Sequence, residues 1–205
     1  MIRLLVVASL LIGGLQPAGR VDSPSTIAEG PSYMADGQLK FPADYREWVY
    51  LTSGLDMSYS PNAAPAGHSV FDNVFVNPTA YKTFLKTGTW PEGTMFVLEN
   101  RGAEGNRSIN TRGKTQSAEV TGLEMHVKDS AHVKDGWGFY GFGGKQSAKL
   151  IERPASCYTC HEQHAAVDTT FVQFYPTLIG LAKEKSSLSA AYLKESAAAS
   201  AEPAK

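Results

Sequence analysis

The chain has 205 residues, of which 42% are hydrophobic and 10% aromatic, and its formal net charge is -1. This length suits one well-formed hydrophobic core, and the composition is ordinary for a globular protein. The near-neutral balance lacks the basic excess that is expected of a nucleic-acid-binding surface. The composition therefore favours small molecules or other proteins as partners, and no nucleic acid.

The N-terminus has the pattern of an export signal. Arg3 precedes an apolar stretch from Leu4 to Leu15. This stretch is shorter than the roughly 20 residues that cross a bilayer, but it is typical of the apolar region of a signal peptide. We predict a signal peptide over residues 1–19 and export to the periplasm; a buried N-terminal helix is the alternative.

The rest of the chain divides into three segments by composition. Residues 20–38 are rich in serine, proline and glycine, which predicts a flexible linker. Residues 39–185 carry the apolar periodicities of a folded domain. Residues 186–205 are rich in alanine, serine and lysine without an apolar period, so we expect a disordered tail.

The domain combines helices and strands. Pro42 suits the first turn of a helix that Gly54 would end, and Asn77 with Pro78 predicts the start of a second, short helix. Strands are predicted over Val70–Val76, Thr94–Glu99, Val120–Lys128 and Gly136–Phe142. Apolar residues at helical spacing predict a C-terminal helix that contains Phe171, Phe174, Tyr175 and Leu178. With a polar loop over residues 101–119, the pattern predicts one antiparallel α+β domain.

The clearest motif is Cys157-Tyr158-Thr159-Cys160-His161, the attachment pattern of a c-type haem. Two thiols one helical turn apart can each add to a vinyl group on one porphyrin edge, and the next residue supplies a ligand to the iron. We predict one covalent haem c, attached through Cys157 and Cys160 and ligated by His161. A redox-active dithiol and a lone structural disulfide are the alternatives.

The use of such a haem depends on the side of the iron away from His161. No methionine follows His161, and His164 lies on the same side of the same helix. Upstream candidates for a sixth ligand are Met57, Met95, Met125, His68, His126 and His132. Met95 and Met125 occupy strand positions that are expected to face the hydrophobic core, whereas His126 and His132 are expected to be exposed. His68, in a loop that leads into a strand, is a candidate to face the haem, and the coordination state stays open.

Several segments besides the haem motif occur in a characteristic order. They are residues 41–49 (Phe-Pro-Ala-Asp-Tyr-Arg-Glu-Trp-Val), residues 74–78, residues 86–88 with 93–94, residues 127–130, residues 137–140 and residues 171–176. In this order they resemble the cytochrome P-460 and cytochrome c′-beta family over about residues 39–183. The resemblance implies an antiparallel β-sheet curved over a covalently bound haem and flanked by helices, with the haem motif on a C-terminal helical segment. It also implies a homodimer.

Two functional types are implied by this resemblance. In the hydroxylamine-oxidising type a lysine is linked covalently to the porphyrin, whereas the c′-beta type lacks this lysine and has an open, aromatic-capped iron that binds nitric oxide. The position of the lysine falls on Leu98, which cannot form the link. The chain therefore resembles the un-cross-linked type, with an aliphatic residue in place of an aromatic cap.

The distal pocket has four candidate residues. Phe96 shares a strand face with Leu98, and the second capping position falls within the segment that contains His68 and Phe71. A distal acid or base would fall around residues 147–149, where no carboxylate occurs, which argues against proton abstraction from a substrate. We therefore expect no catalytic residues.

Three functions follow as hypotheses. The leading one is an apolar-capped, pentacoordinate iron that binds nitric oxide or a similar small ligand. The second is oxidation of hydroxylamine or a related nitrogen compound, with electron transfer to a cytochrome partner. The third is a simple electron carrier with a sixth protein ligand. A helical-bundle cytochrome c′ fits worse, because three segments have strand patterns.

Overall fold

The computed structural model of the protein describes residues 29–59 and 68–201. The predicted signal peptide lies outside the described residues, as do the first part of the predicted linker, residues 60–67 and residues 202–205. The strands are β1 (Leu39–Lys40), β2 (Val49–Leu55), β3 (Val70–Val76), β4 (Met95–Glu104), β5 (Thr115–Lys128), β6 (Trp137–Gly141) and β7 (Ser147–Ala148). The helices are α1 (Pro78–Thr87), α2 (Ser156–His164), α3 (Ile179–Glu184) and α4 (Ala190–Ala201).

A curved antiparallel sheet is the centre of the described fold. Its strand order is β2-β3-β4-β5-β6, and β1 pairs separately with β7. Each strand of the larger sheet pairs with the next strand in the chain, so the topology is a meander. This confirms the predicted α+β class, with an antiparallel sheet flanked by helices.

Both faces of the sheet are covered by apolar side chains. Because side chains alternate along a strand, Phe96 of β4 packs on one face, whereas Met95 and Val97 pack on the other. The first face joins α1 and α3 in a core that includes Val76, Phe84, Trp90, Leu178 and Ala182. The second face packs against residues that include Leu39, Tyr45, Trp48 and Phe142. Burial on both faces explains the continuous apolar run at the start of β4.

Helix α1 begins at the predicted position, but the side chain of Asn77 makes no capping hydrogen bond to it. Pro78 occupies the first turn, where its missing N–H costs no helical hydrogen bond. Gly88 ends the helix in a left-handed conformation with φ of 76°, and its N–H donates to the carbonyl of Phe84 at 2.7 Å. The short helix that was predicted to start at Asn77 and Pro78 is confirmed.

The helix predicted between Pro42 and Gly54 is wrong. A short 3-10 turn, Tyr45–Glu47, is followed directly by β2. Tyr45 and Trp48 pack into the second core, while β2 pairs with β3 through a register shift between Tyr50 and Thr52. The spacing of the apolar residues resembles a helical stripe, but cross-strand pairing determines the structure of this segment.

The hairpin between β4 and β5 is longer than its apolar residues predict. The strands predicted over Thr94–Glu99 and Val120–Lys128 are both present, but β4 continues to Glu104 and β5 begins at Thr115. The extra residues belong to the predicted polar loop. They are intermediate or exposed, so the strand extension has no apolar signal in the sequence.

The C-terminal region differs most from the prediction. The expected helix over residues 171–178 is a 3-10 turn, Val172–Phe174, followed by α3, because Pro176 cannot donate the helical hydrogen bond. The tail that was expected to be disordered contains α4. Tyr192 of α4 packs against the first core, and this packing orders the helix.

The end of the predicted linker also lies against the domain. The hydroxyl of Tyr33 donates to Asp129 Oδ2 at 2.8 Å, and its ring stacks on His132 with the ring centroids 4.1 Å apart. These contacts fix residues that composition alone predicted to be flexible.

Among the described residues, no helix has both the length and the apolar character that a membrane span requires.

Candidate functional site

A large cavity lies between the first face of the sheet and the segment that contains α2. Its volume of about 710 Å³ falls in the range of roughly 300–1,000 Å³ that is typical of sites for small molecules and cofactors. Strands β2 to β6 contribute Thr52, Gly54, Asp72, Val74, Phe96, Leu98, Glu124, Met125, His126, Phe139 and Tyr140. The remaining wall is formed by Met57, Tyr59, Ile151, Ser156, Cys157, Cys160, His161, Thr170, Phe171, Phe174 and Tyr175.

Helix α2 brings the haem motif to this cavity. Cys157 and Cys160 are one helical turn apart, so both side chains lie on the same side of the helix. Both thiols are partly exposed and neither forms a disulfide. Burial, followed by the negative charge of Glu195, raises the pKa of the Cys160 thiol. Two thiols at one wall of an apolar cavity fit the attachment of a porphyrin edge.

The imidazole of His161 has a defined protonation pattern. Its Nδ1–H donates to the backbone carbonyl of Thr169 at 2.7 Å, because a carbonyl oxygen can only accept. Burial lowers the pKa of His161, although this hydrogen bond opposes the shift. The neutral ring therefore keeps its lone pair on Nε2, the form that ligates a metal. The chemistry of this donor set fits haem iron.

Aromatic rings hold His161 in its orientation. The centroid of its ring lies 4.1 Å from that of Phe171, 4.7 Å from Phe139 and 5.0 Å from His126. The contacts with Phe139 and His126 are edge-to-face, an arrangement that aromatic quadrupoles favour. A ring packed on several sides has little freedom to rotate, so its Nε2 has a fixed direction.

His126 is buried, and the expectation that it is exposed is wrong. It is 8% exposed and stacks on Phe139 with the centroids 4.0 Å apart and the planes at 7°. Register explains the burial, because His126 pairs with Phe96 on one side and Phe139 on the other. Its ring centroid lies 5.0 Å from that of His161 in an edge contact, a spacing that argues against a porphyrin between the two rings and so against His126 as a sixth ligand.

Two of the four distal candidates line the cavity. Leu98 and Phe96 project from β4 into it, and Leu98 pairs with Val74 and Glu124 on the neighbouring strands. No lysine or arginine is among the cavity-lining residues of the described chain. Leu98, at the position of the cross-linking lysine that the resemblance implies, forms part of the sheet wall of the cavity.

The other two distal candidates are not among the lining residues. Asp72 and Val74 of β3 line the cavity, so by alternation Phe71 lies on the opposite face of the sheet. Phe71 pairs with Leu55 and Arg101. His68 is exposed and precedes β3. The structure does not bring these two residues together with the haem motif.

The cavity contains two carboxylates that the sequence reasoning missed. Glu124 lies beside Leu98 in the sheet. Asp72 accepts a hydrogen bond from Asn100 Nδ2 at 2.6 Å, and burial raises its pKa against the effect of this bond. The expected region, residues 147–149, is not part of the cavity wall; β7 in that region pairs with β1. Glu124 lies two residues before His126 in β5, so the two side chains share a face of the strand, and this alternation could have pointed to Glu124 from the sequence.

The methionine candidates separate into two kinds. Met95 and Met125 are buried in the second core, as their strand positions predict, and Met125 borders the cavity with only 2% of its surface exposed. Met57 lines the cavity and packs over Gly54, where a side chain would occupy the same space as the thioether. Met57 is therefore the sulfur ligand candidate whose side chain the cavity accommodates.

His132 is exposed, as expected, and hydrogen-bonds to Asp129 at 2.9 Å.

An antiparallel sheet, with two neighbouring thiols and a neutral imidazole at one apolar cavity, defines a haem-binding protein of the α+β class. The sequence model of the cytochrome P460 family matches residues 42–172. The chain therefore belongs to the cytochrome P460 family, and this membership implies that it binds haem. A comparison with curated proteins finds no match. The matched region includes the whole five-stranded sheet and α2, whereas α3 and α4 follow it.

Proposed function

We propose that this protein is an exported monohaem c-type cytochrome with a pentacoordinate, apolar-capped iron that binds nitric oxide or a similar small ligand. One observation carries the proposal: a single cavity is lined both by the Cys157, Cys160 and His161 motif and by Leu98. Attachment by Cys157 and Cys160 retains the cofactor, and His161 ligates through Nε2. Haem, when bound, supplies an iron with a further coordination position.

The apolar wall favours a small, weakly polar ligand. Leu98 and Phe96 present hydrocarbon to the cavity, and an unpaired anion or water in such surroundings loses hydration without compensation. Leucine also has no amine to react with a porphyrin. These properties support the un-cross-linked, gas-binding type over the type with a lysine link.

Oxidation of hydroxylamine or a related nitrogen compound is the second candidate. Glu124 and Asp72 supply the carboxylates that proton abstraction requires, and Glu124 lies beside Leu98. This function would require electron transfer to a partner, for which we propose another cytochrome. Met57 supports the third candidate, a simple electron carrier, because its thioether lines the cavity.

Location and assembly are proposed on the sequence. The apolar stretch after Arg3 supports export to the periplasm, the compartment in which an exported c-type cytochrome would act. A homodimer is proposed from the resemblance to the cytochrome P-460 and cytochrome c′-beta family.

The optical spectrum of the matured ferrous protein, recorded before and after addition of nitric oxide, tests the proposal. We expect a broad high-spin spectrum that changes when the gas is added. Met57→Leu is the matched variant, because it removes the thioether and keeps an apolar side chain. If the proposal holds, this variant gives the same high-spin spectrum as the parent protein.

Other outcomes would select the alternatives. A sharp low-spin spectrum that nitric oxide leaves unchanged would contradict the gas-binding function, and its loss in Met57→Leu would identify the sixth ligand of an electron carrier. A red-shifted ferrous band would reveal a covalent haem link and favour the oxidase. Steady turnover of hydroxylamine with an added electron acceptor, lost in Glu124→Gln, would establish that activity.

A further inference from the structure

The buried imidazole of His126 has a polar contact that packing alone does not require. Its stacking on Phe139 and its edge contact with His161 need only a flat ring. In addition, Nε2 of His126 and the hydroxyl of Thr169 share a hydrogen bond of 3.3 Å. A phenylalanine would satisfy the ring contacts, but it could not make this bond.

Thr169 contacts both histidines. Its backbone carbonyl accepts the Nδ1–H of His161 at 2.7 Å, and its hydroxyl contacts His126. The two hydrogen bonds use different groups of one residue, so the position of the His126 ring and the position of the carbonyl are coupled. His126 thus contacts His161 directly through its ring edge and indirectly through Thr169.

The neighbouring residue anchors the same segment independently. The Thr170 hydroxyl donates to the carbonyl of Val167 at 2.8 Å and accepts from Trp90 Nε1 at 2.8 Å. These bonds keep the segment folded when the bond between Thr169 and His126 is removed. Loss of that bond should therefore change the direction of the Thr169 carbonyl without detaching it from His161.

We propose that His126 is a positioning residue that acts through Thr169 to aim and polarise His161 as the ligand of the haem iron. The proposal rests on haem ligation by His161, but it does not depend on whether nitric oxide binds. A hydrogen bond from Nδ1 to a well-placed acceptor makes the imidazole a stronger electron donor, and such outer partners tune the metal. A stronger donor stabilises ferric haem, so the bond lowers the midpoint potential.

The midpoint potential of the matured protein tests this role. His126→Phe keeps a ring that stacks on Phe139 and removes the nitrogen, whereas Thr169→Val removes the hydroxyl and keeps the carbonyl. We expect each variant to raise the midpoint potential, and the double variant to raise it no further than the larger single change. His126→Gln retains a donor and an acceptor, so its midpoint potential should lie between that of His126→Phe and that of the parent protein.

A second measurement separates ligand polarisation from general loosening. In a five-coordinate ferrous protein, resonance Raman should show a lower iron–histidine stretching frequency in both single variants. His132→Gln is the matched control, because His132 is an exposed histidine outside the cavity, and it should leave potential and spectrum unchanged.

Two results would overturn the proposal. Unchanged potentials in both single variants would show that His126 only packs, and a shift in His126→Phe without one in Thr169→Val would exclude the route through the hydroxyl. If the protein is six-coordinate, the gas-binding function fails, but the potentials of the same variants still decide the role of His126. If His126→Phe does not mature, Thr169→Val alone decides it.

Discussion

At the scale of single residues, the Glu99 carboxylate is a buried charge outside the cavity that needs compensating charges and hydrogen bonds. It is 1% exposed in β4, and a buried carboxylate is unfavourable unless charges and hydrogen bonds compensate. Tyr45 donates to it at 2.5 Å and Arg101 Nε at 2.6 Å, and Arg46 forms a further ion pair. Asn73 Nδ2 completes the shell at 3.2 Å. The carboxylate therefore connects β3, β4 and the turn before β2.

Replacement of Glu99 by glutamine should destabilise the fold strongly. Burial alone would raise the pKa of Glu99, but the hydrogen bonds from Arg101 and Tyr45 and the charges of Arg46 and Arg101 lower it. Removing the charge leaves Arg101 largely buried beside an uncharged partner, and breaking a buried ion pair costs about 3 kcal/mol. Urea unfolding at pH 7 measures the free energy of unfolding directly.

The effect of Glu99→Gln should depend on pH. Because the folded-state pKa of Glu99 lies below that of an unfolded glutamate, its charge stabilises the fold at pH 7, and this contribution is lost as the pH falls through the folded-state pKa. The parent protein and the variant should therefore converge in acid. Glu119→Gln, at an exposed position of β5, is the control and should stay close to the parent protein. A difference that persists in acid would contradict the ion-pair account.

The same scale shows what sequence can and cannot predict about the site. The spacing of Cys157, Cys160 and His161 predicts haem attachment, because this chemistry requires neighbouring positions in one helical turn, and the structure places all three residues at one cavity. Glu124 and His126 alternate with apolar residues and resemble a solvent-exposed face. Whether such a face meets water or a cavity depends on the elements that pack over it, such as α2, which begins 30 residues after His126.

At the scale of elements, α4 is the helix that the composition did not predict, because its residues lie in the tail that was expected to be disordered. Alanine-rich sequence without an apolar stripe suggests disorder, yet alanine has the highest helix propensity. Ser189 precedes the helix, and its hydroxyl accepts the N–H of Tyr192 at 3.1 Å, which is an N-cap. A cap followed by alanines was thus a usable signal. The single aromatic anchor was too weak a pattern to predict docking.

Tyr192 should account for most of the stability that α4 gains by docking. It is partly buried against the first core, whereas its neighbour Leu193 is 51% exposed. Tyr192→Ala should lower the free energy of unfolding by about 1–3 kcal/mol, in proportion to the apolar area that it loses. Leu193→Ala is the control and should cost much less. Equal losses in the two variants, measured by urea unfolding, would show that α4 does not dock through Tyr192.

At the scale of the whole molecule, the two faces of the sheet differ in what completes them. The second face is closed by the chain itself, through residues such as Leu39, Trp48 and Phe142. The first face is closed by α1 and α3 at one end only, and the remainder borders the cavity of about 710 Å³. Protein interiors tolerate few voids larger than a water molecule. This cavity is open to solvent on one side, and its apolar sheet wall fits a bound cofactor that would cover the remainder of the first face.

The double variant Cys157→Ser, Cys160→Ser tests the cofactor as a structural component. Without thioether attachment the haem should be lost, and because the sheet then borders a large apolar void, the protein should lose near-UV circular dichroism and unfold at lower urea concentration. Pyridine haemochrome spectra report attachment, and urea titration of the same samples reports stability. Thr159→Ala, at the exposed position between the cysteines, is the control and should retain both haem and stability. A haem-free double variant as stable as the control would show that the sheet and helices form a complete core without the cofactor.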